Sequence, residues 1–141
     1  MLNLTPLILF DGNCAEAMMF YQSCMGGDLL VTKLGDTPMK EQVPPEQCDR
    51  VAYAHLKSGS IAFSATDWRH PTRKPISGNT VCMYINGGKY SELKTIFDKL
   101  SAGADKTLLD ELREMPFGTY GHLADKFGVH WFFQGEKASD G

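Results

Sequence analysis

Several features that would each assign a class of function are missing from this sequence. The longest apolar runs, such as Leu7–Phe10 and Trp131–Phe133, are far shorter than the roughly 20 residues that cross a bilayer, so we expect no membrane as partner. Fourteen Lys and Arg against 17 Asp and Glu leave a net charge of −3, which gives no support to nucleic acid as a partner. The segment Met1–Pro6 lacks the basic and apolar stretches of a signal peptide, which predicts a cytoplasmic location.

The cysteine pattern also lacks the spacing of a metal or disulfide framework. There are four cysteines, with no CxxC motif and no paired spacing. Without an export signal, we expect reduced thiols that serve as small apolar side chains. Cys14 is the one candidate for a reactive thiol, because it stands where a helix is predicted to begin and a helix N-terminus lowers the pKa of a thiol.

Hydrophobic spacing and turn residues predict the element order β-α-β-β-β in the first half. A short apolar strand at 5–10 precedes a helix over Cys14–Met25, which Gly26 and Gly27 end. Asn13 and Glu16 have the spacing of a capping box at the start of this helix. A strand at Leu29–Leu34 follows, then a long loop rich in proline, and then two strands at Val51–Lys57 and Ser60–Thr66.

The second half repeats this order. A strand over Thr80–Ile85 precedes an amphipathic helix over Ser91–Ser101, then strands at 106–112, 120–124 and 129–134. Ala-His-Leu at 54–56 matches Gly-His-Leu at 121–123, as expected for a duplicated unit. The sequence therefore predicts two modules, at about residues 4–67 and 79–135, and a linker at about 68–78.

Two longer sequence motifs occur, one in each half of the chain, at the places where the predicted element order puts them. FDGNCAEA at 10–17 and DKFGVHW at 125–131 resemble the PhnB-like branch of the vicinal-oxygen-chelate superfamily of glyoxalases, bleomycin-resistance proteins and extradiol dioxygenases. The resemblance implies an α+β fold in which two βαβββ modules form a cupped mixed β-sheet with helices outside. The 141 residues would then be a single glyoxalase-like domain. Members usually pair, so a homodimer is expected.

The resemblance also gives the positions of a metal site. Metal-dependent members carry one ligand on the first and fourth strand of each module, and these positions fall near Thr5, Phe63, Thr80 and Phe132. None of the four side chains is an imidazole or a carboxylate, the groups that bind such ions. We therefore expect no metal and no other cofactor.

Six side chains are candidates for contact with a small-molecule ligand, because the carried-over strand positions place them in or near the cup. Together they would form an apolar, aromatic-lined cavity with few polar groups, which suits an organic molecule better than an ion. A filled core without a cavity is the alternative. The six candidates are Phe63, Cys82, Tyr84, His130, Phe132 and His55.

Because the residues that would bind a metal ion are missing, the sequence favours a metal-free protein. Such a protein would bind a small apolar or aromatic molecule, as the bleomycin-resistance proteins do. Two enzymatic alternatives stay open. One is a glyoxalase or dioxygenase with an atypical metal set, and the other is acid–base catalysis by His55, His130 or Tyr84. Some relatives are labelled quinone methyltransferases, but no glycine-rich nucleotide-binding loop follows the first strand here.

Overall fold

The computed structural model describes residues 1–136 of the chain. They belong to two compact units, the first Met1–Ile76 and the second beginning at Ser77. The unit boundary lies within the stretch at 68–78 that is rich in proline and basic residues. Within the described residues, no helix has the length and apolar character needed to cross a membrane.

The first unit is one four-stranded mixed sheet with a helix on one face. Its elements are β1 (Leu7–Phe10), α1 (Cys14–Met25), β2 (Asp28–Lys33), β3 (Val51–Ser58) and β4 (Ile61–Asp67). The strand order is β1-β4-β3-β2, with β1 parallel to β4 and the other pairs antiparallel. The apolar side of α1 packs on this sheet, and the rings of Tyr21 and Phe63 meet edge to face at 5.8 Å between centroids.

The second unit repeats this architecture. Its elements are β5 (Met83–Asn86), α2 (Tyr90–Leu100), β6 (Asp110–Met115), β7 (Gly118–Ala124) and β8 (His130–Gln134). The order β5-β8-β7-β6 again has one parallel pair, β5 with β8. Phe97 of α2 packs on Phe133 of β8 with ring centroids 5.2 Å apart. The predicted α+β class with two βαβββ units is therefore confirmed.

The start of α1 is held by Asp67 and not by the predicted capping box. The side chain of Asn13 makes no capping hydrogen bond. Oδ1 of Asp67 instead accepts hydrogen bonds from the backbone N–H groups of Gly12 and Cys14, at 2.8 and 3.0 Å. Its Oδ2 accepts from Val51 N–H at 2.8 Å. This carboxylate is only 4% exposed, and it ties the helix start to β3 and β4.

Asp125 orders the turn between β7 and β8. Its Oδ1 accepts from the backbone N–H groups of Phe127 and Val129, at 2.8 and 3.1 Å. Its Oδ2 accepts from the indole N–H of Trp131 at 2.7 Å. The motif at 125–131 therefore closes a turn and fixes a buried tryptophan, whose indole N–H needs such an acceptor.

The strand predicted at 106–112 is wrong over its first half. Lys106–Leu108 is a short 3₁₀ turn, and β6 runs later, from Asp110 to Met115. Asp105 explains the difference, because its Oδ1 accepts from both the backbone N–H and the hydroxyl of Thr107. Such a local side-chain to backbone bond favours a turn over a strand.

Candidate functional site

The side chains of a strand point alternately to the two faces of its sheet. We call the face turned away from the unit's helix its free face. Phe63 is 1% exposed and contacts Tyr21 of α1, so it lies on the helix-packed face. The sequence predicts Phe63 on the face that lines the cup, which corresponds to the free face. That strand position is therefore wrong by one residue.

The ladder register gives the reason for this correction. His55 of β3 lies opposite Ser64 of β4, and His122 of β7 lies opposite Phe132 of β8. His55 and His122 are equivalent positions of the repeat, so Ser64 is the counterpart of Phe132. Phe63 corresponds to Trp131, which is also buried.

Ser64 is the centre of a small polar group on the free face of the first unit. Its Oγ lies 2.9 Å from His55 Nδ1 and 3.1 Å from the hydroxyl of Tyr53. The rings of Tyr53 and His55 are nearly parallel, with centroids 6.3 Å apart. The contact with Ser64 gives the His55 imidazole a hydrogen-bond partner within its own sheet.

Six rings gather on the free face of the second unit, and we call them the aromatic face. Phe132 lies at their centre, with ring centroids 5.9 Å from Tyr84, 5.1 Å from Tyr120 and 6.1 Å from His122. All three contacts are edge to face, the arrangement that aromatic quadrupoles favour. The six are Tyr84, Phe117, Tyr120, His122, His130 and Phe132.

Polar atoms are few on the aromatic face. The hydroxyl of Tyr84 donates to Oε1 of Gln134 at 2.8 Å. Nδ1 of His130 lies 3.3 Å from Nε2 of His122. Burial lowers the pKa of His130, and the neighbouring His122 lowers it further, although Asp125 acts in the opposite direction. His130 is therefore mainly neutral at pH 7 and adds a hydrogen-bonding group without adding a charge.

The six sequence candidates do not form one cluster. Tyr84, His130 and Phe132 come together on the aromatic face, whereas His55 lies on the free face of the first unit. Cys82 precedes β5, and its thiol makes a long contact of 3.7 Å with the carbonyl oxygen of Asn79. Six residues of these faces were not among the candidates, Tyr53 and Phe117 among them, and the period-two pattern along β4, β7 and β8 points to the other four. These four are Ser64, Tyr120, His122 and Gln134.

Cys14 does not have the environment of a reactive thiol. It is fully buried, and burial raises its pKa to about 12, with a further contribution from the charge of Asp67. The thiolate, which is the nucleophilic form, is therefore strongly disfavoured. The helix N-terminus is already occupied by a carboxylate, so Cys14 is not the reactive thiol for which it was the one candidate.

The side chains of the two free faces do not fit a divalent metal ion. Over residues 1–136, no three His, Cys, Asp or Glu side chains group in a way that could hold one. The aromatic face offers two imidazoles and one amide, where sites for such ions use three or four converging donors. The positions to which the resemblance assigns metal ligands hold rings and hydroxyls in this chain.

A βαβββ unit with one helix on a mixed sheet, present twice, defines the glyoxalase-like fold of the vicinal-oxygen-chelate superfamily. A glyoxylase/bleomycin resistance protein/dioxygenase domain from Frankia sp. EAN1pec shares this fold, with a TM-score of 0.61 at 15% identity over 99% of this chain and 95% of that one. Residues 2–134 match the family described as 3-demethylubiquinone-9 3-methyltransferase. The chain belongs to this PhnB-like family.

The chain is also similar to individual proteins over nearly its whole length. Protein YjdN of Escherichia coli K12 is 27% identical over 137 residues, covering 91% of each chain. The crystal structure of protein PA1353 from Pseudomonas aeruginosa has a TM-score of 0.81 at 28% identity, covering 98% of this chain and 100% of that one. A putative 3-demethylubiquinone-9 3-methyltransferase, PhnB protein, from Bacillus cereus has a TM-score of 0.73 at 22% identity, covering 95% and 99%.

Proposed function

We propose that the protein binds a small, planar aromatic molecule on the aromatic face, without a metal ion. The observation that carries this proposal is the ring cluster around Phe132, which extends to Tyr84 and Phe117, each 54% exposed. Contiguous exposed rings are uncommon on soluble proteins unless they bind something. Edge-to-face ring pairs contribute about 0.5–1.5 kcal/mol each beyond area burial, so a planar ligand gains from several contacts at once.

The polar groups of the face suit a ring that carries oxygen substituents. The His122–His130 pair and the Tyr84–Gln134 pair each contain a donor and an acceptor. These groups can bind a carbonyl or hydroxyl oxygen at the ring edge. The family description names a demethylated ubiquinone, whose head group is a planar ring of this kind.

A thermal-shift titration with 2-naphthol tests the site. A ligand that binds only the folded state raises the melting temperature, with about 2.7 kcal/mol of stabilisation at 100 times Kd. We expect the shift in the wild type and in Tyr90→Ala, a tyrosine of α2 away from this face. In Tyr84→Ala the affinity should fall about tenfold. Equal affinities in the two variants would contradict the proposal.

Phe132→Asp is the stronger variant. It places a carboxylate among rings, where desolvation without a partner is costly, and should abolish the shift. Near-UV circular dichroism establishes whether this variant keeps its tertiary packing. A folded Phe132→Asp protein that binds 2-naphthol as the wild type does would place the ligand elsewhere.

We further propose that the protein is a homodimer. Each unit exposes large apolar side chains on its free face, among them Leu7 and Leu30 in the first and Tyr84 and Phe117 in the second. Soluble monomers rarely keep such patches in water. Multi-angle light scattering at micromolar concentration should give twice the 15.6 kDa of one chain. A mass of one chain would refute the dimer and leave the ligand proposal standing.

A further inference from the structure

The first unit contains a cavity of about 500 Å³ that the proposed function does not use. It lies where the turn after β1, the start of β3 and the segment after β4 meet. Four cationic side chains line it, together with one carboxylate, Asp11, and the indole of Trp68. We call it the cationic pocket, and its four cations are Arg50, Arg69, Arg73 and Lys74.

The charge of this pocket opposes the charge of the protein. Its lining carries a formal excess of three positive charges, whereas the whole chain has a net charge of −3. Arg50 and Lys74 share Asp11, at 3.0 and 3.1 Å, and these contacts lower the pKa of that carboxyl. Arg69 and Arg73 have no ion-pair partner within residues 1–136. The pocket therefore has cations available for an anionic ligand.

Arg50 adds an independent observation. Its side chain is 20% exposed, and Nη2 donates to Asp11 Oδ1 at 3.0 Å and to the carbonyl oxygen of Trp68 at 3.1 Å. Its Nε is fully buried and has no hydrogen-bond partner in the described part of the chain. A buried donor without an acceptor is costly. The planar guanidinium matches carboxylate and phosphate oxygens, which makes an oxyanion the fitting partner.

Two aromatic side chains complete the lining. The rings of Trp68 and His70 lie 5.5 Å apart between centroids. Nδ1 of His70 accepts from the backbone N–H groups of Thr72 and Arg73, at 3.1 and 3.0 Å. The proton of the neutral imidazole is therefore on Nε2, which is a donor. An indole face beside several N–H donors suits a ring that bears an anionic group.

We propose that the cationic pocket binds a small aromatic molecule that carries a phosphate or carboxylate group. A volume of about 500 Å³ accommodates a ring together with its anionic group, since sites for small organic ligands measure about 300–1,000 Å³. The anionic group contacts the guanidinium groups of Arg50, Arg69 and Arg73, and the ring lies against Trp68. This site differs in charge and position from the aromatic face of the second unit, and its ligand is an anion.

Isothermal titration calorimetry with four probes tests the pocket. Phenyl phosphate and benzoate distinguish the two anionic groups, inorganic phosphate lacks the ring, and benzyl alcohol lacks the charge. We expect one of the two aromatic anions to bind at least tenfold more tightly than inorganic phosphate, and benzyl alcohol not to bind. Equal binding of benzyl alcohol, or no binding of either aromatic anion up to 10 mM, would overturn the proposal.

Matched variants locate the binding. Arg69→Gln/Arg73→Gln removes the two cations without ion pairs and should weaken the bound aromatic anion at least tenfold. Arg113→Gln, an exposed arginine of β6, should leave the affinity unchanged. Trp68→Leu provides a second measurement, with a loss expected for phenyl phosphate or benzoate and none for inorganic phosphate. If the aromatic anion binds both the double variant and Trp68→Leu as it binds the wild type, the proposed binding site is refuted. A single-stranded oligonucleotide that binds more tightly than every small anion would also refute the proposal.

Discussion

Replacement of Asp67 by asparagine should destabilise the first unit far more than its conservative chemistry suggests. The carboxylate accepts three backbone hydrogen bonds, from Gly12, Cys14 and Val51. An asparagine has one acceptor oxygen, so if that oxygen serves the helix start its NH₂ group faces the N–H of Val51. Two donors then oppose each other at a position where Val51 is fully buried.

The size of the effect follows from these contacts. An unsatisfied buried donor costs about 1–3 kcal/mol, and hydrogen bonds to a charged group contribute more than those to a neutral one. We expect Asp67→Asn to lose about 2–4 kcal/mol of the free energy of unfolding, a large share of the roughly 5–15 kcal/mol of a small domain. Urea unfolding followed by far-UV circular dichroism measures it.

Asp49→Asn is the matched control for this experiment. The side chain of Asp49 is 98% exposed, and its contact with Lys33 is long, at 4.0 Å. Its removal should leave the unfolding midpoint unchanged. An Asp67→Asn protein as stable as this control would refute the argument that the carboxylate ties α1 to the sheet.

The helices could be predicted from the sequence because their signals are local. The helix over Cys14–Met25 has the predicted bounds, and α2 begins and ends one residue before the predicted ones. The capping of α1 could not be predicted in this way. Asn13 has a suitable side chain at a suitable spacing, but the acceptor that wins is Asp67, 53 residues from its donor Cys14. Only the folded sheet brings the two together.

The free faces were harder to predict, because a shift of one residue in a strand exchanges its two faces. Phe63 and Ser64 are adjacent, and an aromatic residue is the more obvious counterpart of Phe132. The repeated histidines, His55 and His122, would have fixed the register, since each lies opposite the equivalent residue of the next strand. To decide which residue lies on the free face, aromatic character was therefore less informative than the position relative to the repeated histidine.

The cationic pocket could not be predicted, because its residues are far apart along the chain. Asp11 lies between β1 and α1, Arg50 immediately precedes β3, and Lys74 is in a stretch that composition marks as a linker. Proline and charge in that stretch indicate only the lack of regular structure. Its contacts with Asp11 and its place in the cavity lining depend on the tertiary fold.

Three further predictions concern single residues. Cys14 is buried and its pKa is raised to about 12, so it should resist maleimide labelling of the native protein at pH 8. Rapid labelling of Cys14 would contradict this prediction. Gly121→Ala should lower the free energy of unfolding, measured with urea, by about 1–3 kcal/mol, because a Cβ there would lie 2.9 Å from Leu112 Cδ1. Gly78→Ala is the control and should change it little, because the Cβ would point into open space. The last prediction concerns pH. The pKa of His130 is lowered in the folded state, so the unfolded chain, with a pKa near 6.5, binds the proton more tightly. This contribution to stability is therefore complete above about pH 6.5 and is lost as the pH falls towards the lower folded-state value. His130→Gln should reduce the decline in stability between pH 7 and 5. An unchanged decline in His130→Gln would show that this histidine is not the group responsible.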